Sequence, residues 1–313
     1  MGHANDRLEP PERLVHALGS DPDPARAEAA RRWLAGLPAT AREWLDRWEL
    51  TPERVQAPGG RTGLVVLAHR ADGTPAALKL LPPGGAATAE HAALEHWGGL
   101  GAVRVLTAAP EAGALLLERL SPDVGLRSLA EAKAQLEASA TLQRLWVAPP
   151  GGTAVPSVAD HTAGLAGALR AWRDEPWAAD ARPLVDEALD LRDALAPGPA
   201  DEPPSLLHGA YHQGKVLAGE RLPWLAVGPR PLTGERAYDL ARLVRDRADT
   251  LLASPGAAAI ARRRAARLAD TLEVDAERLR GWTLFRAVAD GVRERAAGNG
   301  KAAELLLEFA ALL

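Results

Sequence analysis

Residues 206–217 read LLHGAYHQGKVL, a stretch with two histidines, two glycines and a lysine between short apolar runs. The Pro- and Gly-rich segment APGPADEPPS at 196–205 leads directly into it, which indicates a loop rather than a helix. Two β-rich pieces around 215–218 and 223–227 flank the turn sequence GERLP and predict a small hairpin beneath the loop. The chemistry of this polar loop decides how the rest of the chain is interpreted.

Helical patterns dominate the chain on both sides of this loop. Apolar residues at spacings near three and four predict seven helices, at 125–146, 157–174, 180–195, 235–253, 256–270, 275–296 and 300–312. We therefore predict a mainly helical C-terminal lobe over 121–313, which contains the loop 206–217 and a second loop at 224–230.

The region 51–120 has a different period, typical of strands. GLVVLAHRADGTPAALKLL holds two β-rich runs around Asp72-Gly73, which is a strong hairpin signal. AATAEHAALEHW follows as a helix, and AVRVLTAAP and GALLLERL follow as a second pair of strands. This order predicts an antiparallel sheet with one helix packed on it.

Residues 20–50 show an amphipathic helical pattern that is interrupted around Gly36 and Pro38. We predict two short helices here, within an N-terminal extension over 1–50 that packs on the sheet. The three tryptophans of this segment could face a ligand, but packing against the following domain is the favoured interpretation.

Lys79 lies in AALKLL, on a strand predicted to be buried, where an ammonium loses solvation unless an anion is near. Its natural partner is Glu90, one helix later. In the alternative, Lys79 extends from an edge strand to solvent and Glu90 is a solvated helix residue. Only four of the 37 basic residues are lysines, and this scarcity favours the paired interpretation.

The order of these elements is the plan of a kinase-like fold. From about residue 30 to 295 the chain resembles the aminoglycoside and hydroxyurea phosphotransferase family, which includes the streptomycin 6-kinases. The stretches that carry the resemblance are WLAGLPATAREWLDRWEL, RADGTPAALKLLPP, AEHAALEHWGGLGAVRVL, EAGALLLERL, LLHGAYHQGKVL and WLAVGPRPLTGERAYDLARLVRDR. The resemblance implies an α+β, protein-kinase-like fold of two lobes, with ATP between the lobes and a small hydroxylated acceptor on the C-terminal lobe.

The same resemblance implies nucleotide contacts in the N-terminal lobe. A bridge between Lys79 and Glu90 would position the ATP phosphates, and Glu118 would belong to the same nucleotide-binding group. Gly59 and Gly60, in APGGRTGLVV, would let backbone N–H groups approach a phosphate. Taken alone, Pro-Gly-Gly is first of all a turn.

The loop departs from the family pattern His-Gly-Asp-Leu-His-x-Gly-Asn, in which the Asp activates the acceptor hydroxyl and the Asn holds magnesium. Here His208 and His212 are kept and are interpreted as bracing the loop, but Ala210 replaces the Asp and Lys215 replaces the Asn. Gly228, in WLAVGP, stands where the family has a second metal-holding Asp.

These replacements remove the base and both metal ligands, so phosphoryl transfer is expected to fail. The leading hypothesis is a pseudokinase that binds a small hydroxylated molecule, a protein partner, or ATP or another nucleotide without magnesium. Lys215 either pairs with phosphates in place of the metal or is a drifted surface residue. The alternatives are an active ATP-dependent phosphotransferase with a non-standard site, and a different transfer reaction in the same cleft.

Composition excludes several other classes. A net charge of −4 gives no sign of nucleic-acid binding, and the absence of cysteine excludes disulfides and thiolate chemistry. The start MGHANDRLEPPERL lacks the apolar core of a signal peptide, and no apolar run approaches the ~20 residues that span a bilayer. A cytoplasmic protein without a membrane partner is expected.

Overall fold

A computed structural model describes residues 8–21, 23–151 and 155–313. The chain divides into two compact units. Unit 1 runs to Val124 and also contains Leu217–Val227, and unit 2 consists of Gly125–Val216 and Gly228–Leu313. Residues 1–7 lie outside the described residues, and they include part of the N-terminal segment that was predicted to lack a signal peptide. Residues 152–154, in the Pro- and Gly-rich stretch at 147–157, also lie outside them.

Unit 1 contains an antiparallel sheet of five strands in the order β1-β2-β3-β5-β4. The strands are β1 Thr51–Val55, β2 Leu64–His69, β3 Pro75–Leu80, β4 Val105–Ala109 and β5 Ala114–Glu118. Both predicted hairpins are confirmed, and the first turns at Asp72-Gly73, where Gly73 has a positive φ. β1 was not predicted, since its sequence TPERV is exposed over its first three residues and carries no alternating apolar pattern.

Helices cover the sheet of unit 1. These are α1 Glu12–Gly19, α2 Pro24–Arg47 and α3 Gly85–Trp97. Apolar residues of α1 and α2 form one core with Leu78, Leu80 and their neighbours in the sheet. Because side chains alternate along a strand, Lys79 lies on the opposite face from Leu78 and Leu80.

The prediction of two short helices in 20–50 is wrong, since α2 is one helix of 24 residues that contains Pro38 in its interior. Proline removes one helical hydrogen bond. The buried stripe of Leu34, Leu37, Ala41, Trp44 and Leu45 is continuous across it, and its packing outweighs that loss.

The chain returns to unit 1 in a small second sheet. β6 Ser121–Gly125, β8 Val216–Ala218 and β9 Trp224–Ala226 pair in the order β6-β8-β9, and the predicted hairpin at 215–218 and 223–227 is thereby confirmed. The backbone N–H of Val103 donates to Ala226, and that of Ala226 donates to Gly101. These bonds attach Leu217–Val227 to unit 1. The predicted division of the chain had a single boundary after residue 120 and did not include this return of the chain to unit 1.

Unit 2 is mainly helical. Its helices are α4 Glu131–Leu145, α5 Val158–Arg173, α6 Arg182–Leu195, α7 Arg236–Val244, α8 Ala248–Leu252, α9 Ala257–Leu272, α10 Ala276–Ala296 and α11 Gly300–Ala310. β7 Ser205–Leu207 and β10 Leu232–Gly234 form a two-stranded sheet beside them. α10 is the central helix, with thirteen buried residues. Within the described ranges, no helix is both long and apolar enough to cross a membrane.

Two predicted helix boundaries are wrong in unit 2. The helix predicted from 125 begins only at Glu131, because a short 3₁₀ turn over Leu126–Ser128 precedes it. The helix predicted over 235–253 is interrupted between α7 and α8, where Arg247 has a left-handed backbone with φ 56°. The contacts that hold this break are part of the site described next.

Candidate functional site

Lys79 and Glu90 form a buried ion pair within unit 1. β3 lies between β2 and β5, so Lys79 extends from the middle of the sheet. Its Nζ lies 2.5 Å from Oε1 and 2.6 Å from Oε2 of Glu90, on α3. The side chains are only 9% and 3% exposed. The predicted pairing is confirmed, and the alternative of an edge-strand lysine reaching solvent is wrong.

The glycines predicted to contact phosphate lie in the turn between β1 and β2. Gly59 has φ 71°, and a Cβ there would come within 2.8 Å of the backbone oxygen of Gln56. This turn needs glycine for its own geometry. A phosphate contact by Gly59 or Gly60 stays a prediction.

Glu118, also predicted to belong to the nucleotide-binding group, has its carboxylate engaged within unit 1. Arg221 Nη2 donates to Oε1 at 2.7 Å, and the backbone N–H of Arg104 donates to the same oxygen at 2.8 Å. Arg221 also donates to the backbone oxygens of Gly99 and Ala102. The carboxylate of Glu118 therefore holds the Leu217–Val227 segment in place. Sequence reasoning missed Arg221, which lies in the turn GERLP.

The loop after β7 is held by a buried carboxylate of α7. The backbone N–H groups of His208 and Gly209 each donate to Asp239 at 2.8 Å. Burial raises the pKa of Asp239, although the charge of Arg286 and these two hydrogen bonds favour the ionised form. Asp239 therefore braces the loop.

The conformation of the loop also depends on Gly209. Its φ is 72°, and a Cβ at this position would overlap the backbone oxygen of Arg230. Its own carbonyl accepts from Arg286 Nη2 at 2.7 Å. The ring of buried His208 packs edge-on against Tyr211 with centroids 5.4 Å apart, and its Nδ1 accepts from the Ala210 N–H at 3.3 Å. The structure thus gives His208 the bracing position that was predicted.

His212 is arranged to accept a hydrogen bond rather than to take a proton from a substrate. Its Nδ1 accepts from the backbone N–H of Gly214 at 3.1 Å. Burial, together with the positive charges of Arg242 and Lys215, lowers its pKa well below the usual value. A neutral imidazole that accepts at Nδ1 carries its proton on Nε2, and this nitrogen then has no lone pair for general-base chemistry.

The break between α7 and α8 supports the same loop. The Gln213 N–H donates to Asp246 Oδ2 at 2.6 Å, and Arg247 Nε donates to Gln213 Oε1 at 2.9 Å. Arg247 Nη2 reaches the backbone oxygen of Leu129 at 2.9 Å. The left-handed backbone at Arg247 thus turns the chain so that the side chains of Asp246 and Arg247 both contact the loop. Neither residue was predicted from the sequence.

The positions assigned to the lost base and metal ligands carry no carboxylate. Ala210 is buried, so a methyl group stands at the position of the base. Lys215 Nζ lies 3.4 Å from the backbone oxygen of Gly228, so the two predicted metal-ligand positions do come together. Magnesium requires hard oxygen ligands in near-octahedral geometry, and an ammonium repels it. The residues at this place do not fit the metal, and the described part of the chain has no group of three or more His, Asp or Glu side chains that could hold one.

Comparison with known proteins identifies the family. Residues 47–298 match the family model for aminoglycoside/hydroxyurea antibiotic resistance kinases. The chain belongs to this family. Members of the aminoglycoside/hydroxyurea resistance kinase family among its relatives include a streptomycin 6-kinase of Streptomyces griseus, 35% identical over 297 residues, which cover 90% of this chain and 90% of the relative. A hydroxyurea phosphotransferase of Kitasatospora aureofaciens is 38% identical over 270 residues, covering 83% and 74%.

Solved structures confirm the predicted α+β, kinase-like fold of this family member. The aminoglycoside phosphotransferase APH(4)-Ia superposes with a TM-score of 0.61 over 87% of this chain and 96% of its own. The spectinomycin phosphotransferase APH(9)-Ia, solved in complex with ADP and spectinomycin, gives a TM-score of 0.59 over 87% and 97%. Their sequence identities are 15% and 12%, so the likeness concerns the fold.

Proposed function

We propose that this chain is a catalytically inactive member of the aminoglycoside/hydroxyurea antibiotic resistance kinase family, which binds a nucleotide without magnesium. One observation carries the proposal. The ammonium of Lys215 lies against Gly228 at the place where the family pattern has its metal ligands. Ala210 supplies no base beside it.

The energetic argument rests on what phosphoryl transfer needs. Removing a general base typically costs about 10²–10⁴-fold in rate. A metal ion contributes several kcal/mol more by neutralising charge on the phosphoryl oxygens. Lys215 supplies one positive charge, but it cannot bridge two phosphates with a fixed octahedral geometry. Binding is compatible with these residues, whereas turnover is not.

Retention of a nucleotide is supported by the Lys79–Glu90 pair. A buried ion pair is not needed for stability, because apolar residues of similar volume often serve as well. In kinases this pair positions the ATP phosphates. A lysine ammonium has three N–H donors, and Glu90 accepts two of them. The remaining N–H can serve a phosphate.

The same pair also favours a second candidate, an active ATP-dependent phosphotransferase that acts on an alcohol group through a non-standard site. The relatives named streptomycin 6-kinase and hydroxyurea phosphotransferase indicate its acceptors. A single-turnover assay with excess protein separates the two candidates. We expect no phosphorylated streptomycin or hydroxyurea in the presence of ATP and magnesium, as measured by mass spectrometry. Product formed in step with the protein concentration would overturn the proposal.

Thermal unfolding with ATP tests the binding that remains. We expect ATP to raise the unfolding midpoint equally with magnesium and with EDTA, because Lys215 occupies the place of the metal. Lys215→Met should abolish most of this shift. Lys133→Met is the matched control, since Lys133 is exposed on α4. A shift that requires magnesium would contradict Mg-free binding, and a shift that Lys215→Met leaves intact would contradict the role of Lys215 in place of the metal. No shift under either condition would favour a protein partner.

A further inference from the structure

The N-terminal segment over residues 8–19 is anchored in the core of unit 1. Leu8 is 4% exposed, and Leu14 is the one buried residue of α1. Both side chains belong to the core that α1 and α2 form with the sheet. Pro11 lies between the two leucines, and its carbonyl accepts the N–H of Leu14 at the start of α1. The segment lies before residues 47–298, so the match to the family model assigns it no role.

Pro11 packs on the turn between β1 and β2. We call residues 56–63 the glycine turn, since they include Gly59, Gly60 and Gly63. A Cβ on Gly59 would lie 3.2 Å from Cγ and 3.7 Å from Cβ of Pro11. The pyrrolidine ring therefore occupies the space beside Gly59 that a side chain would need. The start of α1 and the middle of the glycine turn are thus packed together.

The sheet holds the two ends of the glycine turn. The backbone N–H of Gln56 donates to the carbonyl of Val65 at 2.8 Å, which closes the base of the turn. A Cβ on Gly63 would overlap the backbone oxygen of Leu80. Gly63 therefore lies directly against β3, beside the residue that follows Lys79. The base of the turn is fixed by strands, and Pro11 supplies a contact in its middle.

The middle of the glycine turn has backbone donors that the protein does not use. Within the described ranges, the backbone N–H groups of Gly59 and Gly60 donate to no protein acceptor. Both glycines are half-buried. Because glycine has no side chain, its N–H group can approach an anion closely. These two donors are available to a ligand as long as the turn keeps its conformation.

We propose that Pro11 is a positioning residue, through which the N-terminal segment holds the glycine turn in the conformation that receives the phosphate groups of a nucleotide. This role rests on the nucleotide binding proposed above. A mobile turn loses backbone freedom when it closes on a ligand, and that loss lowers the affinity. A turn already packed against Pro11 has lost part of that freedom in the free protein. The segment thus raises the affinity for phosphate without contacting it.

Pro11→Gly removes the ring and keeps the helix start, because glycine is accepted at an N-cap and Pro11 makes no side-chain cap hydrogen bond. Isothermal calorimetry in EDTA, and again with magnesium, should show ATP binding weakened about fivefold or more, the cost of ordering one residue. The affinity for adenosine, which has no phosphate, should not change. Pro24→Gly is the matched control, since Pro24 is exposed in the first turn of α2. It should bind both ligands as the wild type does.

Limited proteolysis measures the glycine turn without any nucleotide. Trypsin cleaves after arginine, and Arg61 is an exposed residue of the turn. Because cleavage requires local opening of the chain, Pro11→Gly should release the fragment 1–61 faster than the wild type or Pro24→Gly, as followed by mass spectrometry. Cleavage after Arg170, exposed in unit 2, should be equally fast in all three proteins and reports that the variants are folded.

Three results would overturn this role of Pro11. They are equal ATP affinity in Pro11→Gly and the wild type, an equal loss of ATP and adenosine affinity, and unchanged cleavage after Arg61. If the wild type binds ATP and Pro11→Gly binds it as tightly, only the positioning role fails. If the wild type binds no ATP under either condition, the proposed nucleotide binding fails as well. Product in the single-turnover assay would remove the proposed inactivity and leave the comparison of ATP affinities valid.

Discussion

Lys79→Met is expected to lower the free energy of unfolding by about 3–5 kcal/mol. Methionine has a similar length and no charge, so the substitution leaves the carboxylate of Glu90 without its partner. Glu90 is 3% exposed and cannot turn to water. The loss therefore reflects a stranded buried charge rather than a cavity. Urea unfolding followed by circular dichroism measures it.

The double substitution Lys79→Met/Glu90→Met should recover most of this loss, because an apolar pair of similar volume replaces the ion pair. Arg31→Met is the matched control in unit 1. Arg31 pairs with Glu28 at 2.9 Å, with both side chains 56% exposed, and breaking such a pair costs under about 1 kcal/mol. If the double variant is no more stable than Lys79→Met, the charge explanation is wrong.

The double variant also separates stability from ligand binding. If Lys79 contacts a phosphate, the refolded double variant should lose the ATP-dependent thermal shift although its fold is intact. A purely structural pair would leave that shift unchanged. The experiment therefore asks whether Lys79 was retained in this chain for a ligand.

The prediction of this pair from sequence succeeded for a physical reason. The strand pattern around Lys79 is apolar on both sides, so a charge there demands a partner, and the next helix offers Glu90. The hairpin at Asp72-Gly73 was equally predictable, because its turn chemistry is local. Features that depend on neighbouring residues alone can be taken from one sequence.

Features that depend on distant contacts were missed or misplaced. Pro38 marks a helix end by local rules, but the buried stripe of α2 overrides it. The break between α7 and α8 has no local signal, since Asp246 and Arg247 are fixed by Gln213, more than thirty residues earlier. Arg221 and Glu118 are similarly far apart in the chain. Contacts of this kind appear only when the chain is folded.

The candidate site shows the same division. The approach of Lys215 to Gly228 was expected only because the family pattern assigns both positions to one metal. The arginines around Asp290 have no such pattern, since Arg242 belongs to α7, Arg245 follows its C-terminal end and Arg293 belongs to α10, and all three look like ordinary surface arginines in the sequence. In a chain with 33 arginines among 37 basic residues, composition could not single them out. Only the shared carboxylate of Asp290 reveals them.

Asp239→Ala is expected to lower the free energy of unfolding by about 3 kcal/mol or more. Its carboxylate accepts the backbone N–H groups of His208 and Gly209, both at 2.8 Å, in a fully buried position. Each buried donor left without an acceptor costs about 1–3 kcal/mol. Asp270→Ala, at an exposed position on α9, is the control and should change stability by less than about 0.5 kcal/mol.

Hydrogen exchange locates the effect of Asp239→Ala within unit 2. The amides of His208 and Gly209 should exchange much faster in the variant. The exchange rates of the α10 amides should change only as far as the free energy of global unfolding changes. Asp239→Asn should fall between the wild type and alanine, because its amide keeps one acceptor oxygen but turns an N–H₂ group toward the second backbone donor. Unchanged exchange at these two amides would mean that Gly209, clamped between the Arg230 carbonyl and the Arg286 guanidinium, suffices to hold the loop. The loop conformation would then depend on Arg230 and Arg286 rather than on Asp239.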